Sequence, residues 1–218
     1  MMIPVLTIDG PSGAGKGTVS RAVARLLGWN YLDSGSIYRS LAIACLQAEL
    51  DLNDVEAVCK TAEKMQLGFD CGDTLKVYLN AQDITHLLGT ESTGKAASIV
   101  AAYPEARALL LQKQKDFQQL PGLVADGRDM GSVVFPDARF KVYLDASAEE
   151  RGLRRYKQLI EKGIGANLAQ ITQEIEERDR RDRERATAPL TIAEGATYID
   201  SSMLSIQEVI DQVMELVR

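Results

Sequence analysis

Long apolar runs are missing from this 218-residue chain, and no stretch approaches the roughly 20 residues needed to span a bilayer. Met1 to Ile8 is apolar but carries no basic leader and runs at once into glycines, so it does not read as a signal peptide. Cysteine is scarce as well. Cys45, Cys59 and Cys71 make an odd count without paired ligand spacing, which argues against a disulfide framework or a zinc site and points to a reducing cytoplasm. His86 is the one histidine, so base catalysis by a histidine has no candidate pair or triad. Positive charge is in the minority: the formal net charge is −6 and the pI is near 5.0. A field of that sign argues against a polynucleotide-binding surface.

What is present is an ordinary folded composition, 45% hydrophobic and 26% charged. Apolar, β-branched runs alternate with helical patterns. Ile3 to Ile8 precedes a loop and a helix over Lys16 to Leu27, and Trp29 to Leu32 precedes a helix over Ile37 to Gln47. Leu123 to Ala125, Phe140 to Leu144 and Thr197 to Ile199 are further short runs. Ser147-Ala148-Glu149-Glu150 and Ser205-Ile206-Gln207-Glu208 match the capping box that opens a helix. Strands alternating with helices predict a parallel sheet covered on both faces, with ligands at the carboxyl ends of its strands. Leu67 to Ile84 breaks the alternation. Period-two patterning at Leu75 to Leu79, with turns at Cys71-Gly72-Asp73 and Asn80-Ala81-Gln82, predicts a small antiparallel insert. Helical patterns follow over Glu91 to Ala102 and Pro104 to Leu120. Motif-bearing segments are scattered along the whole length, which favours one core carrying insertions.

The sharpest signal is Gly10-Pro11-Ser12-Gly13-Ala14-Gly15-Lys16-Gly17-Thr18, between a predicted strand and a predicted helix. That context is the one a phosphate-binding loop requires. Glycines let successive N–H groups turn inward on an anion, the helix adds its positive end, and Lys16 supplies a cation for the β- and γ-phosphates. A hydroxyl residue usually follows the lysine, but here Gly17 does, with Thr18 next. A magnesium ion is therefore expected to be held mostly through phosphates and waters, as suits its hydration.

Eight of the 15 arginines lie between Arg151 and Arg185. Arginine clusters in an acidic chain suggest a small anionic ligand. Asp33-Ser34-Gly35-Ser36-Ile37-Tyr38-Arg39 follows the second strand, where Ser34 or Ser36 is a candidate cap and Arg39 falls in the first turn, unfavourable for a cation unless an anion joins it. Asp126-Gly127-Arg128-Asp129-Met130-Gly131 places three charges at a strand end. In Leu168 to Arg185, ordinary i,i+4 pairs account for Glu174–Arg178, Glu177–Arg181 and Asp179–Arg183. One stripe differs: Leu168, Ile171 and Ile175 continue on the same face to Arg178, Asp182 and Arg185, as if a buried face entered a polar cavity. A preceding helix carries Arg151, Arg154 and Arg155 and ends at Gly163-Ile164-Gly165, a pattern that suits either a closing lid or a plain surface helix.

These four motifs, the glycine loop, the Asp33 to Arg39 segment, the Asp126 to Gly131 segment and Glu177 to Arg183, resemble the nucleoside monophosphate kinases, and among them the bacterial cytidylate kinases, over essentially the whole chain. The resemblance implies an α/β, three-layer P-loop kinase fold with a five-stranded parallel sheet, a small antiparallel β insert and a short helical lid. It implies a core at 1–33, 121–147 and 186–218, an acceptor-binding region at 34–120 and a lid at about 148–185. It places Ser34, Arg39, Arg128 and Arg185 around an acceptor phosphate, Ser98, Arg107 and Asp129 against cytosine, and Arg178 and Asp182 against the ribose. Arg154 and Arg155 would come from the lid, and with Lys16, Arg128 and Arg185 would be catalytic. ATP with magnesium would be the donor, CMP and dCMP the acceptors, and Asp126 an outer-sphere anchor for the ion. A cytoplasmic monomer without polymer or membrane partners is expected.

The chemistry can be reasoned separately. A phosphate monoester has a second pKa near 6, so the acceptor oxygen is already an anionic nucleophile at neutral pH and needs no general base. Catalysis is then positioning and charge neutralisation. Cytosine offers an amino group and the N3 acceptor; Asp129 or Ser98 can accept from the first and Arg107 can donate to the second. Uracil reverses both. A nucleotide-triggered switch on the same loop is the rival reading, but it needs no second anion pocket in its own chain.

Overall fold

The structure is a computed structural model that describes residues 3–71, 75–161 and 163–217. From the N-terminus, strand β1 (Val5–Asp9) leads into helix α1 (Lys16–Leu27), and β2 (Asn30–Asp33) into α2 (Ser34–Gln47). Helix α3 (Val55–Lys64), strands β3 (Leu67–Cys71), β4 (Leu75–Leu79) and β5 (Gln82–Asp83), and helices α4 (Glu91–Val100) and α5 (Pro104–Lys115) fill the middle of the chain. Strand β6 (Leu123–Gly127), a π-helical turn at Met130–Val134 and β7 (Phe140–Asp145) follow. The helix pair α6 (Ala148–Glu161) and α7 (Leu168–Glu184), then β8 (Thr197–Asp200) and α8 (Ile206–Val217), complete it.

The main sheet has the order β2-β6-β1-β7-β8, and every pairing is parallel. β1 and β6 are buried along their whole length, as central strands covered on both faces must be. One apolar cluster joins α2, α3, α4 and α5 to one side; Leu41, Val58, Val100 and Leu110 are wholly buried in it. The other packs α1 and α8 through Val23 and Val213. Asp9, Gly127 and Asp145 end adjacent strands, so the segments that follow open on one edge. Trp29 precedes β2 and lies flat on Gly122: a Cβ at residue 122 would stand 2.5 Å from its ring.

The antiparallel insert is present as β3-β4-β5. Its second turn places Asn80 at φ 50 and Ala81 at φ 66, the backbone of a two-residue hairpin. Most of the first turn, residues 72–73, lies outside the described residues. Three local expectations are corrected. Helix α2 starts at Ser34 and is capped by Asp33, whose carboxylate accepts from the Ser36 N–H at 3.1 Å, so neither Ser34 nor Ser36 is the cap. Arg39 consequently sits in the second turn, past the strongest part of the helix dipole. Helix α5 stops at Lys115 rather than Leu120: Phe117 N–H turns to the Gln114 carbonyl and Gln118 N–H to the Lys115 carbonyl, i→i−3 bonds that tighten the chain out of the helix. The Ser205 capping box forms reciprocally, with Ser205 N–H to Glu208 at 2.8 Å and Glu208 N–H to Ser205 Oγ at 3.3 Å. At Ser147 the hydroxyl accepts from the Glu150 N–H at 3.2 Å, while the Glu150 carboxylate turns to Arg154.

Candidate active site

The chain leaves β1 at Gly10, where a Cβ would stand 1.9 Å from the Leu144 carbonyl oxygen, so only glycine lets the loop pass β7. Gly13 (φ 81) and Gly15 (φ 92) take left-handed backbone, which glycine adopts without cost. Gly15 caps α1, and Lys16 is its first residue. Lys16 is 6% exposed, and its ammonium donates to the Pro11 carbonyl at 2.8 Å. Burial, then Arg128, pushes its pKa well below the usual lysine value, with Asp126 and Asp9 opposing. A buried ammonium held by a neutral carbonyl, inside a helix N-terminus, is arranged for an incoming anion.

Two carboxylates stand under the loop. Asp126 accepts from the Tyr31 hydroxyl at 2.6 Å, and burial, with Asp33 adding, raises its pKa. A Cβ on Gly17 would lie 3.7 Å from both Asp126 Oδ2 and the Tyr31 hydroxyl. Asp9 accepts from the N–H groups of Met130 and Gly131, each at 2.8 Å. Burial pushes its pKa up to about 6 against those two bonds. Asp9 thereby anchors the π-helical turn that begins immediately after Arg128-Asp129.

Guanidinium groups from separate elements gather in overlapping clusters, of which Arg128 and Arg178 reach Lys16. Arg107 of α5 donates to Asp129 and lies 5.3 Å over the Tyr38 ring. Arg185, at the end of α7, stands 3.6 Å from the same Asp129. Arg128 Nε donates to Asp182 at 2.9 Å. Arg178 has a buried Nε without a hydrogen-bond partner among the described residues. Its pKa falls to about 10 through burial and then Arg128, with Arg39 adding and Asp182 opposing. Arg39 donates to the Leu88 carbonyl and feels Asp33, Arg128 and Arg155. Lys16 in turn feels Arg128 and Arg178. So much like charge on partly desolvated groups is repulsive, and an anion among them would convert that repulsion into affinity.

Other side chains named from the sequence are engaged elsewhere in this conformation. Ser34 Oγ donates to Gln114 at 2.7 Å, and Ser98 Oγ donates to the Gly94 carbonyl of its own helix at 3.2 Å. Arg154 donates to the Ser201 carbonyl at 2.6 Å and pairs with Glu150 at 3.1 Å. Along α7 the buried stripe runs through Ile171 and Ile175, but Leu168 is 40% exposed because it opens the helix beyond the reach of the core. The i,i+4 pairs expected there do not form as ion pairs among the described residues. Asp179 turns instead to Arg151, at 2.6 Å. Asp9, Tyr31, Gln114, Arg151 and Asp179 were not singled out by sequence as site residues. A carboxylate just ahead of the glycine loop was the one visible sign, at Asp9.

The sequence profile described as cytidylate kinase matches residues 6–218. A cytidylate kinase of Methylococcus capsulatus is 56% identical over 216 residues, 99% of this chain and 97% of that protein. One from Aeromonas salmonicida is 51% identical over 98% of this chain and 93% of its own. Among solved structures, a shikimate kinase from Acinetobacter baumannii in complex with shikimate aligns over 99% of this chain and 93% of that chain, at 16% identity and a TM-score of 0.47.

Proposed function

Because this chain belongs to the cytidylate kinase family, which moves phosphate from ATP to CMP, we propose how its own residues divide that work. The backbone amides from Gly13 to Thr18 and the Lys16 ammonium hold the β- and γ-phosphates of ATP, with Gly10, Pro11 and Ser12 shaping the entry. Arg39, Arg128 and Arg185 take the acceptor phosphate, with Ser34 beside them. Arg107 and Asp129, with Ser98, read cytosine, and Arg178 and Asp182 take the sugar. Arg154 and Arg155 swing in from the α6–α7 lid. The carrying observation is that Arg128 and Arg178 act on Lys16 while Arg39 acts on Arg178, a chain of cations running from the phosphate loop to the acceptor side.

The acceptor phosphate brings its own nucleophile, so no side chain needs to remove a proton. The arginines relieve repulsion between the two phosphates and set the attacking oxygen in line. Closure of the lid excludes water that would otherwise take the phosphoryl group. Asp129, already clamped by Arg107, is placed to accept from the cytosine amino group while Arg107 donates to N3. A uracil would set oxygen against carboxylate and N–H against guanidinium.

Magnesium fits this site as a passenger of ATP. Among the described residues no group of three His, Cys, Asp or Glu side chains is placed to cage a metal. A Cβ on Gly17 would touch the Arg21 guanidinium at 3.4 Å and the buried Asp126 carboxylate at 3.7 Å, so the absence of a side chain there leaves that carboxylate accessible as an outer-sphere anchor for waters on the ion. Asp126 would hold the ion through its waters, and the ion would supply positive charge against the phosphates of ATP. The domain reading is one kinase domain, with the core at 1–33, 121–147 and 186–218, acceptor region 34–120 and lid 148–185. Among the described residues no helix is long and apolar enough to cross a membrane; a monomer in the cytoplasm is our reading. ADP release measured with ATP and each of CMP, dCMP, UMP, AMP and GMP tests the substrate assignment. CMP and dCMP are expected to exceed the others by about 10²-fold or more in kcat/KM. Equal values for CMP and UMP would refute it.

A further inference from the structure

The α6–α7 pair meets the phosphate loop through a buried ion pair. Arg151, 3% exposed, spends its whole fork there: Nε donates to the Ala146 carbonyl at 2.8 Å, Nη1 donates to the Ser12 carbonyl at 2.8 Å, and Nη2 pairs with Asp179 at 2.6 Å. The other oxygen of Asp179, itself 2% exposed, faces the Ser12 N–H at 3.4 Å. Ser12 is thus held at both its amide and its carbonyl, in a ring closed by the ion pair. The next residue, Gly13, has left-handed backbone, and its Cα faces Arg151: a Cβ there would stand 3.2 Å from the Arg151 Cβ. Behind the pair, α6 and α7 are in close contact at Gly152, where a Cβ would lie 2.4 Å from the Thr172 hydroxyl.

A glycine-rich loop cannot fix its own amides, because glycine is the residue with most backbone freedom to lose. Something outside must hold it. Buried charge pairs are poor stabilisers against apolar groups of equal size, so a pair kept here serves geometry. Asp179 is flanked on α7 by Arg178, and Asp182 follows one turn on; whatever fixes Asp179 fixes the rotation of α7 that aims both into the acceptor hollow.

We infer that Arg151 and Asp179 form a strut positioning the phosphate loop and the lid hairpin against each other, so that one contact sets the Ser12-Gly13 amides for the donor and α7 for the acceptor. Its acceptor half rests on the site reading above. Both are positioning residues, since neither touches substrate in this role.

The test is the double variant Arg151→Met with Asp179→Leu, which keeps volume and removes the charges without leaving one unpaired. Far-UV dichroism and thermal midpoint establish folding. The dissociation constant for ATP, measured by calorimetry without CMP, is expected to rise about tenfold to a hundredfold, and KM for CMP to rise with it, at a nearly unchanged midpoint. Both constants within twofold of the parent would overturn the strut and leave a plain structural pair. Arg151→Lys is expected to behave like the double variant, because one ammonium cannot span Ala146, Ser12 and Asp179 together; parental constants for it would also overturn the inference. Should the double variant not fold, Asp179→Asn is judged by the same twofold limit. Loss of CMP-dependent ADP formation in the parent itself would instead strike the substrate assignment, and the ATP constants would still decide the strut.

Discussion

At Lys16 the free protein holds a cation where burial and Arg128 disfavour it. Its pKa lies below the ordinary 10.5, so as pH rises through that lowered value the lysine loses its proton. A triphosphate favours the charged form and draws the proton back. ATP binding in EDTA is therefore expected to take up protons on the alkaline side, and affinity to fall as pH climbs through the same window. Calorimetry in two buffers of different ionisation enthalpy measures the uptake; net release would contradict it. Asp129 carries a second expectation. It is the shared partner of Arg107 and Arg185, so Asp129→Ala removes the base-reading acceptor and strands two guanidiniums. Discrimination of CMP over UMP should fall about 10²-fold, and stability by roughly 3 kcal/mol. Full selectivity in a folded variant would remove Asp129 from the base pocket.

The π-helical turn at Met130–Val134 shows what an element can depend on. Its first two N–H groups end on the two oxygens of Asp9, 121 and 122 residues away in sequence. Asp9→Asn turns an amide donor toward one of those N–H groups, a mismatch costing about 1–3 kcal/mol. Since Arg128 and Asp129 enter that turn, KM for CMP is expected to rise about tenfold, and more than the ATP constant, which Asp9 reaches only through its charge on Lys16; steady-state kinetics beside ATP titration separates the two. The elements were legible in sequence where their cause was local. The glycine loop, the apolar strand runs, the Ser205 box and the Ile171-Ile175-Arg178-Asp182 stripe each declare themselves within a few residues. Helix α3 has no counterpart among the sequence expectations, although Asp54 caps it and Val58 and Ala62 bury its inner face. Asp179 was assigned to Arg183 by helix spacing, whereas folding brings it Arg151 from the adjacent helix. Spacing along one helix cannot report such a partner, and the same holds for Asp9 and for Tyr31 on Asp126.

Across the whole molecule, the order β2-β6-β1-β7-β8 places the loop after β1 beside the segment after β6, which is how cations as far apart in sequence as Lys16, Arg128 and Arg178 come to act on one another. An acidic surface with a cationic pocket favours small anions over polyanions. The large apolar side chains left exposed, Leu26, Leu120, Ile160 and Met203 among them, come from separate parts of the fold. Sedimentation over a range of concentrations is therefore expected to give a single species near 23.9 kDa; concentration-dependent doubling of mass would refute the monomer. Trp29 gives the molecule one more property. The chain's sole indole rests on Gly122, where both chain segments enter the sheet, at the end opposite the strand ends that carry the phosphate loop, so its ultraviolet emission serves as a built-in gauge of unfolding.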